Sequence, residues 1–509
     1  MDHHATTNVL DILDPFAAAC VERLAAAYGE AGEELFLVGG VIRDALLGRI
    51  AAGHAFDLDF ATSSLPDTTQ RLGRAAGASS VYLIGERFGT VGLIFTDPDG
   101  RSGIPDDSRN GHVAVPRTLG IEITTYRREA YVNGTRHPVV ELGGTLADDL
   151  ARRDFTINAM AADAGSGALV DPFGGLPDLD LAVLRAVGAP DERFAEDPLR
   201  LLRAARFVSQ LGFRLDPETE AAISRTAPDL ARISKERILA EVSRLLTGEY
   251  VDHGLETLRA TGLLAEALPE LEPIAEMTVD PYGFGRGRGG VGREKDLWDH
   301  TRQVVRQAPA RTVVRWAALL HDAAKPATRS VDAAGEVHFF GHEREGAKLA
   351  ERLLRRLGAD RLTISRVNRL VELHARPEAY EPDWTDSAVR RLALEAGDVL
   401  EDLLDLAEAD VTSAREQRRR LAADRIAALR SHIARLEDEQ ALDRLQSPLD
   451  GNDLMAMFDR RPGRWIAEIK DHLRELVIDG ELASDDRAGA ERIARELIGD
   501  DQNDASSLR

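Results

Sequence analysis

The chain has 509 residues, and its 64 lysines and arginines against 87 aspartates and glutamates give a formal net charge of −23. Hydrophobic residues make up 43% of it and Cys20 is its one cysteine. This length allows about three or four domains with cores of their own. The composition excludes a largely disordered chain, a disulfide scaffold and a uniformly basic surface, so a nucleic acid would have to meet a local basic strip.

Neither an export signal nor a membrane-spanning segment is predicted. The first residues lack a basic region followed by an apolar one, and the sequence has no stretch of about 18 apolar residues. With a single thiol, the fold does not depend on disulfides. We therefore expect a cytoplasmic protein without a membrane partner.

Over the first 190 residues, short apolar runs alternate with helical stretches. Five runs predict the strands of an α/β unit around one sheet: LFLVGG, DLDFA, VYLIG, VGLIF and IEITTY. Between Asp97 and Pro116, glycine, proline, aspartate and serine predict an exposed loop.

The first strand, LFLV, runs directly into Gly39 and Gly40, and a helix then begins with VIRDALLG. Two glycines let the backbone approach a phosphate closely, and the unpaired N–H groups of a helix N-terminus attract the anion. The guanidinium of Arg43 would add a bidentate contact. This turn therefore predicts a phosphate-binding site.

The next strand carries Asp57 and Asp59, which point to the same face because they are two residues apart. Two adjacent carboxylates need a cation, and hard oxygen ligands favour Mg²⁺, which supports phosphoryl transfer. Glu122, in the strand IEITTY, is either a third carboxylate of this site or an exposed edge residue. The predicted catalytic set is therefore Asp57, Asp59 and Glu122.

From Asp191 onward the strand signals fade and apolar residues recur at helical spacing. The glycine- and arginine-rich segment 280–294 predicts a flexible linker, with five glycines between Gly283 and Gly290. Beyond it, REQRRRLAADRIAALRSHIARLEDE predicts a long, charged, solvent-facing helix.

Five motifs in order resemble those of the class II tRNA nucleotidyltransferases, the CCA-adding enzymes of the polymerase β-like superfamily. They are LVGGVIRDALLG with DLDFAT, RRDFTINAMA, DPFGGLPDL, EDPLRLLRAARF and KERILAEVSRLL. The resemblance implies an α+β nucleotidyltransferase head with a small mixed sheet, followed by mostly α-helical neck, HD and tail domains. The expected boundaries are 20–190 for the head, 191–279 for the RNA-binding neck, 280–294 for the linker, 295–415 for the HD domain and 416–509 for the tail.

Position by position, the resemblance implies that Asp57 and Asp59 hold Mg²⁺. It implies nucleotide contacts from Gly39, Gly40, Arg43, Asp44, Arg152, Arg153, Asp154, Asn158, Asp197, Arg200, Arg203 and Arg206. Asp197 and Arg200 would read the base. Residues three apart share a helical face, and a carboxylate acceptor beside a guanidinium donor matches cytosine and adenine but leaves uracil and guanine with unpaired groups.

The implied activity is Mg²⁺-dependent, template-independent addition of CCA to tRNA 3′ ends from CTP and ATP, with release of pyrophosphate. A CC-adding or A-adding enzyme stays open, because the loop at 97–117 would govern the change of base. Glu86 and Thr90 disfavour a poly(A) polymerase, whose pattern differs at these two positions. A fourth alternative is an HD-type phosphohydrolase whose head only binds nucleotide.

A second group of residues matches the ligand order of the HD phosphohydrolases: His300, His321, Asp322, His342, His374 and Asp410. Imidazole and carboxylate together suit a second divalent metal with a hydrolytic water. Ala324 stands where that family usually has glycine, which weighs against hydrolytic activity more than against metal binding. The expected substrates are phosphomonoesters or cyclic phosphodiesters at RNA ends.

Basic residues toward the end of the chain are candidates for phosphate contacts with tRNA. They are Arg415, Arg418, Arg419, Arg420, Arg460, Arg461, Arg464 and Lys470. Acidic neighbours leave an ordinary solvated helix face as the alternative, and the resemblance favours tRNA.

Overall fold

A computed structural model of the chain describes residues 8–50, 58–84, 89–101, 116–130, 139–279, 295–334, 337–412, 416–439 and 447–504. The chain divides into two units, Met1–Ala267 and Leu268–Arg509. Several predicted features lie outside the described residues: Asp57, Glu86, Arg415, the linker at 280–294 and most of the loop at 97–117.

The first unit contains a seven-stranded mixed sheet in the order β3-β4-β5-β2-β1-β8-β9. Only β2 and β5 run parallel, and the other neighbours are antiparallel. The bounds are Leu35–Val38 (β1), Leu58–Thr62 (β2), Ser80–Ile84 (β3), Thr90–Arg101 (β4), Pro116–Thr125 (β5), Ala161–Asp163 (β8) and Leu169–Val170 (β9). Shorter pairs join Arg127–Ala130 (β6) with Val139–Leu142 (β7), and Val183–Leu184 (β10) with Arg214–Leu215 (β11). All five predicted runs form strands.

Alternation along the central strands separates a buried face of the sheet from an open one. Leu58, Phe60, Ile121 and Ile123 are buried, whereas Asp59, between the first two, is exposed. Because successive side chains of a strand point to opposite faces, the apolar residues fix the carboxylate on the open side.

The first part of the segment between Asp97 and Pro116, which was predicted to be a loop, belongs to a strand. Strand β4 continues to Arg101 and pairs with β5 across an irregularity between Asp97 and Arg101. A strand pair can carry proline and glycine where a bulge interrupts the ladder, so composition overestimated the loop.

Helices complete the first unit, and their caps follow the sequence. Asp14 accepts hydrogen bonds from the N–H groups of Phe16 and Ala17 and so caps the first helix. The bounds are Pro15–Glu30 (α1), Gly40–Leu46 (α2), Pro66–Ala75 (α3), Leu146–Ala151 (α4), Gly175–Asp180 (α5), Pro190–Glu196 (α6), Leu199–Leu211 (α7), Pro217–Thr226 (α8), Lys235–Leu246 (α9), Val251–Ala260 (α10) and Leu263–Ala267 (α11). Helix α7 packs against α9 and α10.

The second unit is almost entirely helical. Its bounds are Glu272–Ala275 (α12), Leu297–Gln307 (α13), Thr312–Leu320 (α14), Lys325–Thr328 (α15), His342–Arg356 (α16), Arg361–Leu373 (α17), Asp386–Ala396 (α18), Leu400–Ala409 (α19), Glu416–Glu439 (α20), Gly451–Phe458 (α21), Arg464–Ile478 (α22) and Arg487–Asp504 (α23). Its strands are Thr278–Val279 (β12), Lys295–Asp296 (β13), Ser330–Val331 (β14) and Val337–His338 (β15). The long charged helix predicted after residue 415 is α20. It is not solvent-facing on all sides, because Ile426, Leu429, Ile433 and Leu436 are buried where it packs against α18 and α19.

Trp298 and Trp316 are fully buried in the second unit, where α14 packs against α13 and α17. The last three helices form a separate apolar cluster around Leu454 and Leu473. Within the described residues, none of the helices is both long and apolar enough to cross a membrane. The predicted fold class, an α+β head followed by a mostly helical remainder, is confirmed.

Candidate functional site

A cavity of about 600 Å³ in the first unit collects most of the residues that the motifs single out. A volume of this size suits a small organic ligand. The predicted residues that line it are Gly39, Gly40, Arg43, Asp59, Arg152, Arg153, Asp154, Asn158, Asp197, Arg200, Arg203 and Arg206. Seven arginines against three aspartates make the lining strongly basic in a chain whose overall charge is negative.

Gly39 connects β1 to α2 with a φ of +91°, a backbone conformation that favours glycine. A Cβ at this position would lie 3.6 Å from Nη1 of Arg153 and 3.8 Å from Oδ2 of Asp59. The turn therefore lies between a guanidinium and a carboxylate, both of which also line the cavity.

Asp59 and Glu122 are neighbours on the open face of the sheet. Strands β2 and β5 pair in parallel with Asp59 opposite Glu122, and both residues are exposed. Paired residues on adjacent strands point to the same face. The structure therefore brings together two of the three predicted carboxylates, although Glu122 does not line the cavity and Asp57 lies outside the described residues.

Arg43 is held in place by the residues around it. Its guanidinium donates two hydrogen bonds of 2.8 Å to Asp44 and one of 2.8 Å to Oδ1 of Asn158. Its Cζ also lies 5.2 Å from the centre of the Phe207 ring. Asp44 does not line the cavity, so its observed contact is with Arg43.

Arg203 and Arg206 extend along α7 on the cavity wall. Arg203 donates a 2.7 Å hydrogen bond to Asp154. Burial would raise the pKa of Asp154, but the charge of Arg203 and a hydrogen bond from Asn158 lower it below its usual value. Burial, reinforced by the charge of Arg203, lowers the pKa of Arg206 to about 10.

Two arginines of the wall have buried N–H groups that lack a hydrogen-bond acceptor among the described residues. They are the Nε groups of Arg153 and Arg206. The Nε of Arg206 lies 3.3 Å from a carboxylate oxygen of Glu241, as an ion pair without hydrogen-bond geometry. Buried donors without acceptors are costly, so this wall favours an anionic ligand.

The structure corrects the expected placement of Asp197. Helix α6 ends at Glu196 and α7 begins at Leu199, so Asp197 is extended and does not share a helical face with Arg200. Oδ1 of Asp197 accepts a 3.1 Å hydrogen bond from the N–H of Leu199, the first residue of α7. Both predicted base-reading residues nevertheless line the same cavity.

Arg200 and Asp197 have different partners. Arg200 donates 2.8 Å hydrogen bonds to Glu196 and to the carbonyl of Arg193, and a 2.6 Å bond to the carbonyl of Arg152. Asp197 accepts a 3.3 Å hydrogen bond from Arg237 of α9.

In the second unit, all six residues of the predicted HD set come together. Four of them stand at helix ends: His342 begins α16, and His321, His374 and Asp410 directly follow α14, α17 and α19. Side chains at helix ends can converge from several directions without crossing a packed core. Their ligand atoms form two groups: His300 with His321 and Asp410, and Asp322 with His342 and His374.

The imidazole nitrogens and carboxylate oxygens of this cluster lie close to one another. Nε2 of His300 lies 3.0 Å from Asp410 and 3.3 Å from Nε2 of His321. Oδ1 of Asp322 is buried and, among the described residues, has no hydrogen-bond partner, although Nε2 of His342 lies 3.4 Å away. An orphaned carboxylate oxygen that faces imidazole nitrogens fits a cation.

Burial and the neighbouring charges shift the pKa values of two histidines in this cluster. Burial opposes protonation of His321, but Asp322 and Asp410 outweigh it and raise the pKa of His321 to about 10. Burial and the charge of His321 lower the pKa of His374 to about 4. The second oxygen of Asp322 accepts a 2.6 Å hydrogen bond from Lys325.

Three family models match the chain. A poly A polymerase head domain matches residues 35–185, a probable RNA- and SrmB-binding site of polymerase A matches 212–274, and an HD domain matches 250–415. The head match covers the strand-to-helix turn and the carboxylate strand, and the HD match covers the histidine cluster.

An A-adding tRNA nucleotidyltransferase from Deinococcus radiodurans is 35% identical over 381 residues, which are 72% of this chain and 83% of that protein. The chain belongs to the tRNA nucleotidyltransferase family. A CCA-adding enzyme from Geobacillus kaustophilus is 40% identical over 254 residues, 50% of this chain and 55% of that enzyme. The crystal structure of the Bacillus stearothermophilus CCA-adding enzyme in complex with CTP matches with a TM-score of 0.63 at 26% identity, over 97% of this chain and 100% of that one. The family resemblance read from the sequence is therefore confirmed.

Membership of this nucleotidyltransferase family implies a divalent metal ion, and the residues present fit one. The paired positions Asp59 and Glu122 offer hard oxygen donors on one open face, beside a cavity whose basic wall suits a polyanion. The second unit offers a mixed imidazole and carboxylate set.

Several residues that shape the head site were not predicted. Arg237 lines the cavity and pairs with Asp197, and the buried carboxylate of Asp149 binds Arg152 at 2.6 Å and Arg153 at 3.4 Å. The spacing of Asp149 to these two arginines, three and four residues, would have indicated the contacts. No local pattern links Arg237 to Asp197, which is 40 residues away.

Proposed function

We propose that this chain adds CCA to the 3′ ends of tRNA without a nucleic-acid template, using CTP and ATP. The observation that carries the proposal is the single cavity that Asp59 shares with Asp197 and with seven arginines, one of which is Arg200. A carboxylate beside a basic wall suits nucleotidyl transfer, and the Asp197 and Arg200 side chains supply one acceptor and one set of donors for a base.

The triphosphate would lie against the arginines that the structure leaves with unused donors. Arg153 and Arg206 each have a buried Nε group that meets no acceptor in the part of the chain that the structure describes. Arg43 is fixed by Asp44 and Asn158 before any ligand arrives. Guanidinium groups bind phosphate oxygens in a bidentate manner. A preorganised basic wall would orient the α-phosphate and stabilise the pyrophosphate as it leaves.

The base would be selected by hydrogen-bond polarity. Arg200 is fixed by Glu196 and two backbone carbonyls, and Asp197 is oriented by Arg237. A guanidinium donor matches N3 of cytosine or N1 of adenine, and a carboxylate acceptor matches the exocyclic amino group. With uracil or guanine, a donor of the base would face the guanidinium donor and an acceptor of the base would face the carboxylate. Each unpaired group costs about 1–3 kcal/mol.

Asp59 and Glu122, together with Asp57, would hold Mg²⁺. When bound, this ion lowers the charge repulsion between the attacking 3′-hydroxyl and the triphosphate. The arginine wall would then keep the α-phosphate aligned for attack by the terminal 3′-hydroxyl of the RNA. No covalent enzyme intermediate is needed.

An A-adding or CC-adding enzyme is the nearest alternative, since the Deinococcus radiodurans relative adds A. Three tRNA transcripts separate these activities: one that ends before CCA, one that ends after the first C and one that ends after both. We expect labelled CTP to be incorporated into the first two and labelled ATP into the third. An A-adding enzyme would extend only the third, and a poly(A) polymerase would extend it by many residues.

The five-part division of the chain and the cytoplasmic location stay predictions. So do the tRNA contacts of Arg415, Arg418, Arg419, Arg420, Arg460, Arg461, Arg464 and Lys470. Arg464 is 92% exposed and Arg420 is 76% exposed, so both can reach a phosphate. Their ion pairs with Glu468 and Glu416 are solvent-exposed and therefore weak.

A second candidate function is metal-dependent hydrolysis of phosphate esters by the HD cluster. The orphaned oxygen of Asp322 favours a bound cation, and the two groups of three ligands would accommodate a divalent metal. Release of phosphate from a nucleoside 2′,3′-cyclic phosphate treated with phosphatase would detect this activity. Loss of the release in His321→Ala, with nucleotide incorporation retained, would assign it to the second unit.

A further inference from the structure

The open face of the sheet continues beyond the two carboxylates to an exposed tyrosine. Asp59 of β2 pairs with Glu122 of β5, Glu122 pairs with Gly92 of β4, and Gly92 pairs with Tyr82 of the edge strand β3. Residues paired across adjacent strands share a face, so these four positions form one row. Tyr82 therefore lies on the same face as the carboxylates.

The ring of Tyr82 extends over Gly92, the residue that stands between Tyr82 and Glu122 in this row. Its Cε2 atom and its hydroxyl oxygen lie 2.6 and 2.8 Å from the position that a Cβ on Gly92 would occupy. A side chain at position 92 would displace the ring, so glycine permits this placement. The tyrosine is still 45% exposed, although aromatic residues in sheets usually pack against neighbours.

An exposed ring at the edge of a phosphoryl-transfer site has the properties of a stacking surface. Proteins bind single-stranded RNA ends by stacking unpaired bases on aromatic side chains. The incoming nucleotide is not the expected occupant, since Tyr82 does not line the cavity with Asp197 and Arg200. The other base near the reacting atoms is the 3′-terminal base of the RNA, whose 3′-hydroxyl attacks the α-phosphate.

We propose that Tyr82 is the stacking platform for the 3′-terminal base of the acceptor RNA. Its ring would position the terminal ribose beside Asp59 and Glu122 without reading the base, because every base offers a flat π face. This suits an acceptor whose terminal nucleotide changes after each addition. The inference rests on the proposed nucleotidyl transfer, and it makes Tyr82 a positioning residue.

The decisive variant is Tyr82→Leu, which keeps an apolar side chain over Gly92 but removes the planar ring. With a tRNA transcript that ends before CCA, we expect the KM for RNA to rise about tenfold and the KM for CTP to stay within about twofold. Tyr82→Phe should restore the RNA KM. Leu83→Ala is the matched control, because Leu83 is also 45% exposed and lies on the opposite face of the same strand.

A double-mutant cycle tests the contact itself. An acceptor-stem RNA with an abasic 3′-terminal nucleotide should bind the wild type about tenfold more weakly, but should bind Tyr82→Leu no more weakly than the intact RNA does. An RNA KM for Tyr82→Leu within twofold of the wild type, or an equal abasic penalty in both proteins, would overturn the proposal.

A binding measurement separates this inference from the proposed function. An acceptor-stem RNA that carries 2-aminopurine at its 3′ end should lose fluorescence on binding to the wild type and to Tyr82→Phe, but much less with Tyr82→Leu. Quenching without CTP incorporation would refute the nucleotidyl transfer and support the platform. Incorporation with equal quenching in all three proteins would refute the platform alone.

Discussion

The head cavity and the HD cluster present opposite kinds of unsatisfied polar groups. In the head, seven arginines face three aspartates, and the buried Nε donors of Arg153 and Arg206 lack acceptors among the described residues. In the HD cluster, the buried Oδ1 of Asp322 has no donor within the described ranges and faces imidazole nitrogens. The polar groups of the first site therefore suit an anion, and those of the second suit a cation.

The two sites differ in which side chains supply their charged groups and in how deeply these side chains are buried. The head cavity collects long arginine side chains from α7 and from the segment after α4, so it remains open to a large polyanion. The HD cluster places short side chains at helix ends, and it buries His300, His321, Asp322 and His374 almost completely. Burial strengthens electrostatic interactions, and it also limits the size of what can bind.

The largest effect is expected from Asp59→Asn. Loss of one carboxylate from the proposed Mg²⁺ site should reduce the single-turnover rate of CTP incorporation by about 10³-fold, because a metal ion contributes several kcal/mol to phosphoryl transfer. His321→Ala should leave incorporation unchanged, since it alters only the second unit. Full incorporation by Asp59→Asn would contradict the proposed metal site.

The next largest effect concerns base choice. An amide can donate as well as accept, so Asp197→Asn should raise the incorporation of UTP relative to CTP by about 100-fold. Asp191→Asn, on α6 and paired with Arg225 outside the cavity, is the matched control. Unchanged discrimination in competition assays would exclude Asp197 from base reading.

Metal removal should distinguish the two units. If the HD cluster binds a divalent metal at about 100 times its Kd, a chelator should lower the free energy of unfolding of the second unit by about 2.7 kcal/mol. Differential scanning calorimetry would show the shift in one transition. Asp322→Asn should abolish the dependence on chelator, and an equal shift in this variant would indicate a site elsewhere.

The smallest effect is expected from Arg237→Ala. Arg237 is half exposed and its ion pair with Asp197 is 3.3 Å long, so its loss should raise the KM for CTP only about threefold. Arg232→Ala, beside α9 and paired loosely with Asp229, should leave this KM unchanged. Equal KM values for CTP in both variants would show that Arg237 does not contribute to the positioning of Asp197.

Local spacing was sufficient to predict two features of the head, and the resemblance supplied most of its other site residues. The alternation in DLDFA put Asp59 on the open face, and the glycine pair after LFLV identified the strand-to-helix turn. The six residues expected as HD ligands came from the resemblance to the HD phosphohydrolases, and the structure brings them close together in two groups of three. The prediction for Asp59 succeeded because a residue's face in a strand is set by its distance along the chain from buried apolar neighbours.

Contacts between distant segments required the tertiary structure. The sequence alone does not show that β5 runs parallel to β2 and places Glu122 beside Asp59, or that Arg237 reaches Asp197. Asp197 was also predicted to lie on a helix, but α7 begins only at Leu199, after Pro198. Sequence determined which chemical groups each segment offers and which way they point. Strand pairing and helix packing determined which of them meet, since these depend on the burial of apolar surface across the whole unit.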